Sequence, residues 1–334
     1  MKRPDLPKQM RNVADKQLLR RIEDGLEKVE IALQKATEHT DPIAKVTARH
    51  LVDAGGKRLR PVLVLLTAQL GNADLPEVID AAVVVELTHL ATLYHDDVMD
   101  NAPTRRGVAT AHNIWGNSVA ILTGDLLFAR ASQVVSRLGE KALTLQADTF
   151  ERLCLGQLHE TVGPQDGENP TEHYIRVLAD KTGSLIAASA QLGAMFAGAP
   201  ESVYQALTTY GENVGVAFQL IDDVIDIAEE GASGKTPGTD LKAGVPTLPV
   251  LLLREAAATD PEAAELVALI DGGLDDEALE QVLTRLRKHP VAEAAYQEAK
   301  RWSDQAVAAL EPLEKSSVKD ALRNFAEAVV DRSN

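Results

Sequence analysis

The fold is decided by residues 76–101, which read PEVIDAAVVVELTHLATLYHDDVMDN. Apolar residues recur in this stretch at three- and four-residue steps without strand-like alternation, so it predicts one long helix. Three aspartates, Asp96, Asp97 and Asp100, lie at its end, and Pro103 marks the stop. Because helical positions four apart share a face, Asp96 and Asp100 are expected to present a pair of carboxylates on one side.

A second aspartate box has the same spacing. Residues 218–227 read FQLIDDVIDI and contain Asp222, Asp223 and Asp226. One acidic pair alone is more often a solvated helix face, but two boxes within apolar helices could not be buried without a cation to neutralise them. Carboxylates in this pattern suit Mg²⁺, which keeps several waters and completes its shell with phosphate oxygens of a substrate.

Length and helical periodicity indicate an all-α protein. The chain has 334 residues, and apolar residues at helical spacing recur from Lys16 to Ala328. No linker rich in Ser, Gly or Pro divides it, so we predict a single domain over residues 1–334. Its catalytic core is expected over about 12–247, followed by a C-terminal helical layer over about 248–331.

Composition argues against several classes of protein. A formal charge of −16 and 4% aromatic residues disfavour nucleic-acid binding. Cys154 is the only cysteine, which rules out an intramolecular disulfide and a cysteine-based zinc site. The charged start, MKRPDLPKQMRN, lacks the apolar core of a signal peptide, and the uncharged residues 182–200 predict a buried helix. We therefore expect a cytoplasmic protein without stable membrane insertion.

Three basic clusters stand out in this acidic chain. Lys57, Arg58 and Arg60 lie between the Gly55-Gly56 turn and a helix start, where free backbone N–H groups favour an anion. Arg105-Arg106 follows the first box, and Lys181 precedes Thr182-Gly183. Alone, an Arg-Arg pair is more often a surface feature and Lys-Thr-Gly a helix terminator. Together with the boxes, the clusters predict two anionic substrates.

These motifs resemble those of the trans-isoprenyl diphosphate synthases, the polyprenyl synthetase family. The pieces occur in family order over about 190 residues: GGKRLRP at 55–61, His89, HDDVMD at 95–100, RRG at 105–107, KTG at 181–183, FQLIDDVIDI at 218–227 and GKTPGTDLKAG at 234–244. The resemblance implies a helical bundle around a central cavity, of the isoprenoid synthase type. It also implies a homodimer.

The resemblance assigns roles to individual positions. The diphosphate of isopentenyl diphosphate would be bound by Lys57, Arg60, His89 and Arg106. The allylic diphosphate would be held by Arg105, Lys181, Thr182, Gln219 and Lys235. Several Mg²⁺ ions would be held by Asp96, Asp100 and Asp222, with help from Asp97, Asp223 and Asp226. The residues expected to be essential for turnover are Asp96, Asp100, Lys181 and Asp222.

The implied activity is a stepwise, head-to-tail prenyl transfer. The allylic C–O bond ionises, the double bond of isopentenyl diphosphate attacks the carbocation, and loss of a proton gives an all-trans product five carbons longer. The released diphosphate is expected to take the proton, so no side chain is nominated as general base. Water would quench the cation, and residues 231–247 are the candidate lid over the site.

Small residues upstream of the first box predict a medium- or long-chain product. Ala91 and Thr92 are the fifth and fourth residues before Asp96, and Thr88 lies one turn deeper. Bulky side chains there would form a floor below the diphosphate, whereas small ones leave a path for the growing hydrocarbon. Tyr94 is the complication, because its ring could still narrow the path.

Four other functions would share some of these features. A farnesyl or geranylgeranyl diphosphate synthase would share every motif and differ only in product length. A class I terpene cyclase would share the first box but pair it with a different metal motif, and would not need the Lys57–Arg60 cluster. His95-Asp96 suggests a phosphohydrolase of the HD type, but the further histidine ligands that such an enzyme needs are not evident on neighbouring helices of this sequence. A subunit of a heteromeric synthase would often have lost aspartates that this chain keeps.

Overall fold

The computed structural model describes residues 15–228 and 237–331. It confirms an all-α protein, whose helices are numbered here in chain order. They are α1 (Lys16–Ala36), α2 (Pro42–Asp53), α3 (Leu59–Ala68), α4 (Pro76–Met99), α5 (Ala111–Trp115), α6 (Asn117–Val135), α7 (Glu140–Val162), α8 (Pro170–Leu178), α9 (Ser184–Phe196), α10 (Glu201–Ile227), α11 (Thr239–Lys242), α12 (Leu248–Ala256), α13 (Pro261–Asp271), α14 (Asp276–Leu286), α15 (Pro290–Ala309) and α16 (Ser317–Val330). A 3₁₀ turn, Ser136–Leu138, follows α6, and a π-helical turn, Ala179–Gly183, joins α8 to α9.

Side-chain caps set the start of several helices. The carboxylate of Asp15 accepts hydrogen bonds from the N–H groups of Gln17 and Leu18. Asp41, at the start of α2, accepts a hydrogen bond from Ala44 N–H at 2.9 Å. These bonds satisfy N–H groups that have no partner within the helix. Local sequence therefore fixes these starts independently of tertiary packing.

Two details of local structure bear on the connections between helices. Gly116, whose φ is 87°, ends α5 before α6 begins. The candidate lid, residues 231–247, contains the short helix α11. Of this segment, residues 231–236 lie outside the described residues.

A two-stranded hairpin follows the first aspartate box. Strand β1 (Thr104–Arg105) pairs antiparallel with β2 (Val108–Ala109). Its turn residues, Arg106 and Gly107, have φ values of 53° and 79°. Positive φ at both central positions is typical of a type I′ turn. The hairpin thereby carries the Arg105-Arg106 pair on a short, tightly constrained connection.

The described chain forms two compact units, each assembled from separate stretches of sequence. The first unit comprises residues up to 150 together with 185–208 and 312–322. In it, α4 packs against α1, α3 and α6. Gly193 of α9 allows close approach to α3, because a Cβ there would lie 2.2 Å from the carbonyl oxygen of Val64. The first aspartate box belongs to this unit.

The second unit comprises residues 151–184, 209–311 and those from 323 onward. In it, α12 packs against α8, α13 and α15. Its core is a cluster of buried apolar residues: Ile227, Leu241, Val250, Leu253, Ala263, Leu266, Val282, Leu283, Leu286 and Val291. The second aspartate box, at the end of α10, belongs to this unit.

Among the described residues, α4 and α6 are long and apolar enough to resemble membrane spans. The most apolar window of α4 is 67% buried within the protein, as expected for a core helix. The corresponding window of α6 is 39% buried, and its exposed side chains include Ile121 and Leu122. Residues 182–200, expected to form a buried helix, contribute α9 and its buried residues.

Candidate active site

The first aspartate box lies in the last turn of α4 and differs in exposure from residue to residue. Asp96 is partly exposed, Asp97 is 1% exposed and Asp100 is exposed. Oδ1 of Asp97 accepts a hydrogen bond of 2.7 Å from Nε of Arg105. Burial raises the pKa of the Asp97 carboxyl, and the contact with Arg105 opposes that rise. Its Oδ2 is buried without a hydrogen-bond partner among the described residues.

Arg58 is buried and paired, unlike its neighbour Lys57. Its Nε donates to Glu30 of α1 at 2.6 Å, and its Nη1 donates to Glu86 of α4 at 2.7 Å. The side chain is 2% exposed. Arg58 therefore ties the loop before α3 to two helices, and its charge is taken up by these carboxylates. Lys57 is exposed.

Arg106 lies beneath the Gly55-Gly56 turn. Its Nη1 donates to the carbonyl oxygens of Leu51, at 3.0 Å, and of Gly55. Gly56 has a φ of 138°, and a Cβ at that position would lie 2.7 Å from Cζ of Arg106. Glycine is required here because a side chain would both strain the backbone and displace the guanidinium. The turn and the hairpin are thus held together through Arg106.

Arg60 adds a further cation to the first unit, and His89 lies in its electrostatic environment. Burial lowers the pKa of Arg60 to about 10, a shift that Glu86 opposes, so the guanidinium stays charged at neutral pH. Burial, followed by the charge of Arg60 and its neighbouring arginines, lowers the pKa of His89 well below its ordinary value. His89 is therefore neutral, a protonation state in which one ring nitrogen donates a hydrogen bond and the other accepts one.

The residues assigned to chain length lie on α4 before the box. Thr88 is buried, and its Oγ1 accepts a hydrogen bond of 2.7 Å from Nε2 of Gln146 on α7. Ala91 has 0% exposed surface, whereas Thr92 is partly exposed. Tyr94 is fully buried and its hydroxyl donates to Thr47 O in α2 at 2.6 Å. The Tyr94 ring is therefore anchored towards α2.

In the second box, Asp223 and Asp226 anchor other segments. Oδ2 of Asp223 accepts from the hydroxyl of Tyr174 at 2.8 Å and from Leu248 N–H at 3.2 Å. Burial raises the pKa of Asp223 to about 7 in spite of these bonds. The two carboxylate oxygens of Asp226 accept from the N–H groups of Thr239 and Asp240, each at 3.1 Å. Asp222 is partly exposed.

The predicted allylic residues of the second unit lie on α10 and on the π-helical turn. Lys181 and Thr182 occupy this turn, where the sequence had indicated a helix break. Nζ of Lys181 forms an ion pair with Glu160 of α7. Gln219 is partly exposed on α10, one turn before Asp222. Lys235, also assigned to the allylic diphosphate, lies outside the described residues.

Sequence reasoning missed several charged partners of these clusters. Glu86 is the buried carboxylate that Arg58 and Arg106 share. Arg152 and Glu160 went unnoticed, although they lie eight residues apart on α7 and contact adjacent residues of the π-helical turn. Local patterns could not have found these contacts, because Arg152 and Asp180 are 28 residues apart in sequence and Glu160 and Lys181 are 21 apart.

Each unit thus carries a carboxylate box and positive charge. In the first unit, Asp96 contributes to the charge environment of Arg60. In the second, Lys181 and the aspartates of α10 occupy neighbouring elements of one compact body. Oxygen ligands combined with lysine and arginine are the groups that bind a metal-complexed phosphate.

Comparison with known proteins identifies the family. The family model described as polyprenyl synthetase matches residues 41–286. A nonaprenyl diphosphate synthase of Mycobacterium tuberculosis is 46% identical over 273 residues, covering 80% of this chain and 81% of that protein.

Two solved structures are similar along nearly their whole length. A geranylgeranyl pyrophosphate synthase from Corynebacterium glutamicum, complexed with calcium and isoprenyl diphosphate, has a TM-score of 0.86 and 45% identity, covering 96% of this chain and 98% of that one. A decaprenyl diphosphate synthase from Rhodobacter capsulatus has a TM-score of 0.85 and 33% identity, covering 95% and 99%. The family and fold expected from the motifs are confirmed, and the chain belongs to the polyprenyl synthetase family.

Proposed function

We propose that this protein condenses isopentenyl diphosphate with an allylic diphosphate, stepwise and head to tail, to give an all-trans polyprenyl diphosphate and free diphosphate. The observation that carries the proposal is the pairing, in each compact unit, of an aspartate box with cationic side chains. Two groups of cationic side chains match the need to hold two diphosphates, one of which must leave. Membership of the polyprenyl synthetase family supports the same reaction.

The donor set fits a hard divalent cation, and we take it to be Mg²⁺. Several such ions would be bound, with the partly exposed Asp96 and Asp222 and the exposed Asp100 as the principal ligands. Asp97 fits a supporting role, since its orphaned Oδ2 lacks a partner among the described residues. Asp223 and Asp226 would contribute further carboxylate oxygens, and their hydrogen bonds to α12 and α11 already hold these two helices in place. When bound, the metal neutralises charge on the diphosphate and eases its departure.

The basic residues divide between the two substrates. Isopentenyl diphosphate would be bound by Lys57, Arg60, His89 and Arg106, all in the first unit. The allylic diphosphate would be held by Arg105, Lys181, Thr182, Gln219 and Lys235. Arg60 supports this division because its guanidinium stays charged in partly buried surroundings, which strengthens its attraction for a phosphate.

The reaction follows from these roles. Negative charge builds on the leaving diphosphate as the allylic C–O bond breaks. The ammonium group of Lys181, held in a fixed position, stabilises that charge. The π electrons of isopentenyl diphosphate form the new C–C bond, and the resulting cation loses a proton to the released diphosphate. No side chain acts as general base. The described part of the candidate lid, residues 237–247, is attached to the second box through Asp226, which favours a role in excluding water.

The product is proposed to be a medium- or long-chain polyprenyl diphosphate. Thr88, Ala91 and Thr92 are all small, so no aromatic floor stands on this part of α4. Tyr94 supports the same assignment, because its hydrogen bond to Thr47 turns the ring towards α2. Relatives of nearly equal identity are named for products of different length, so identity alone does not decide between them.

We infer that the protein acts as a homodimer in the cytoplasm. One face of α7 carries exposed apolar or thiol side chains at three- and four-residue steps: Leu143, Ala147, Phe150, Cys154 and Leu158. An unpaired apolar stripe of this length marks a surface that another protein covers. A second copy of the chain would place two such stripes against each other.

The reaction is tested by following diphosphate release. Purified protein with Mg²⁺ should release diphosphate only when isopentenyl diphosphate and an allylic primer are both present, and chelation should abolish the release. Asp222→Asn should lower kcat by about 10³-fold, the scale expected when stabilisation of a leaving group is lost. Release from the allylic diphosphate alone would indicate a cyclase or hydrolase instead.

A further inference from the structure

The π-helical turn that carries Lys181 is an irregular piece of backbone with several supports. In it, the N–H of Ser184 bonds to the carbonyl oxygen of Ala179, one residue further back than in an α-helix. The hydroxyl of Ser184 donates to Asp180 O at 2.5 Å. Single π turns within α-helices occur most often at functional sites, and neighbouring groups must hold them in place.

Arg152 of α7 makes the most extensive side-chain contacts with the turn. Its Nε donates to Oδ1 of Asp180 at 2.7 Å, and its Nη2 donates to Ala179 O at 3.4 Å. Its Nη1 donates to Oε2 of Glu212 on α10 at 2.8 Å. One planar guanidinium therefore joins three elements of the second unit: α7, the π-helical turn and α10. Only arginine offers donors in such a fixed fork.

Gly156 lies one turn further along α7 and allows the backbone of α7 to approach the backbone of the π-helical turn closely. A Cβ at this position would lie 2.8 Å from the backbone nitrogen of Lys181 and 3.1 Å from Cβ of Asp180. Gly183, at the far end of the turn, lies close to α10, because a Cβ there would be 3.2 Å from Glu212 O. The turn is thus pressed between α7 and α10, with glycine at both points of contact.

Arg152, Gly156 and Glu160 follow one another at four-residue steps and so share one face of α7. Arg152 contacts Asp180, Gly156 contacts the backbone of Lys181, and Glu160 pairs with the Lys181 ammonium group. Three successive turns of one helix therefore fix the position and direction of a single lysine.

We propose that Arg152 is a positioning residue for the allylic diphosphate, acting through the π-helical turn on Lys181. The inference rests on the proposed function, in which Lys181 binds that diphosphate. Arg152 does not contact the substrate in this account. It holds Asp180 and Ala179 so that the next residue, Lys181, presents its ammonium group at a fixed place. A group displaced by about 1 Å can lose a factor of up to about 10² in rate, so the supporting residue matters.

Kinetic constants for the two substrates test this role. Arg152→Gln should raise the KM for the allylic diphosphate about tenfold and leave the KM for isopentenyl diphosphate within about twofold. A residue needed only for folding would not separate the two substrates. Arg152→Lys keeps the charge but loses the fork, so it should recover only part of the allylic affinity; if Arg152→Gln fails to fold, the same comparison is made with Arg152→Lys.

A double-mutant cycle with Lys181→Ala tests the positioning role of Arg152 separately from the proposed binding role of Lys181. If Arg152 acts through Lys181, Arg152→Gln should add less than about twofold to the allylic KM once Lys181 is alanine. If Lys181→Ala raises the allylic KM but Arg152→Gln does not, or if the two effects multiply, the positioning role is wrong. If Lys181→Ala leaves the allylic KM unchanged in an active enzyme, the proposed role of Lys181 fails.

Gly156→Ala provides a second route to the same readout. Alanine favours a helix more than glycine does, so this variant would be at least as stable if the π-helical turn did not lie against it. The new Cβ should instead displace Lys181 and raise the allylic KM about tenfold. The matched control is Arg254→Gln, which removes an exposed ion pair with Asp271 in the same unit and should change neither KM. An unchanged allylic KM in Gly156→Ala would contradict the proposal.

Discussion

The hydroxyl of Tyr94 donates a hydrogen bond of 2.6 Å to the carbonyl oxygen of Thr47. The hydroxyl oxygen of Tyr94 also accepts a hydrogen bond from Leu51 N–H at 3.2 Å, so the ring of Tyr94 is held against α2 by two hydrogen bonds. Burial raises the pKa of this hydroxyl far above its ordinary value, so it remains protonated and able to donate. Tyr94 therefore has a structural role that accounts for its size.

Tyr94→Phe is expected to lower stability and leave the product unchanged. Loss of the hydroxyl removes its bonds to α2 and should cost about 1 kcal/mol of unfolding free energy, measured by urea denaturation. The distribution of product lengths should match that of the unmodified enzyme. A shift in product length without a loss of stability would mean that Tyr94 lines the path of the growing hydrocarbon and would contradict its structural role.

Bulky residues before the first box are expected to shorten the product. Ala91→Phe should do so, but Ala91 has 0% exposed surface, and a ring there should also cost about 1–3 kcal/mol through overpacking. Thr92→Phe is the cleaner variant because Thr92 is partly exposed. Both the product length and the melting temperature are measured for each variant. If well-folded Ala91→Phe and Thr92→Phe both give products of unchanged length, this part of α4 does not line the path.

Stability is expected to fall below about pH 6.5 because of His89. Its pKa is depressed in the folded protein, so the unfolded chain binds more protons as the pH drops. Between pH 7.5 and pH 5.5 the unmodified protein should therefore lose about 1 kcal/mol more than His89→Gln does. Urea denaturation at the two pH values measures the difference. An equal loss in both proteins would mean that His89 titrates normally.

The exposed stripe on α7 is expected to form the contact between two copies. Leu158→Arg should place a charge within that contact and shift the protein from dimer to monomer at micromolar concentration. Asp148→Arg, which adds the same side chain at another exposed position of α7, is the control. Light scattering after size-exclusion chromatography gives the mass. A monomeric unmodified protein would exclude the homodimer.

The all-α fold and both aspartate boxes could be predicted because their signals are local. Helical periodicity and the spacing of Asp96 to Asp100 depend on residues within one or two turns of each other. The division of labour among neighbouring cations could not be predicted. Lys57 and Arg58 have the same charge, and only the three-dimensional fold brings Glu30 and Glu86 to Arg58.

The supports of the π-helical turn were beyond local reasoning for the same cause. Arg152 and Asp180 are 28 residues apart in sequence, and Arg152 and Glu212 are 60 apart. Nothing in the local pattern indicates that these charges meet. Conversely, Lys-Thr-Gly is a common helix terminator, and the sequence therefore suggested a break. The structure continues through a π turn because Arg152 and Gly156 hold it from α7.

The central claim is best tested by the length of the product made from isopentenyl diphosphate. Purified protein is supplied with Mg²⁺, radiolabelled isopentenyl diphosphate and, separately, geranyl, farnesyl or geranylgeranyl diphosphate, and the dephosphorylated products are sized by chromatography. We expect labelled chains longer than twenty carbons, whose formation is lost on chelation and in Asp96→Asn. Products that stop at fifteen or twenty carbons would contradict the open path along α4, and no incorporation with any primer would contradict catalysis by this chain alone.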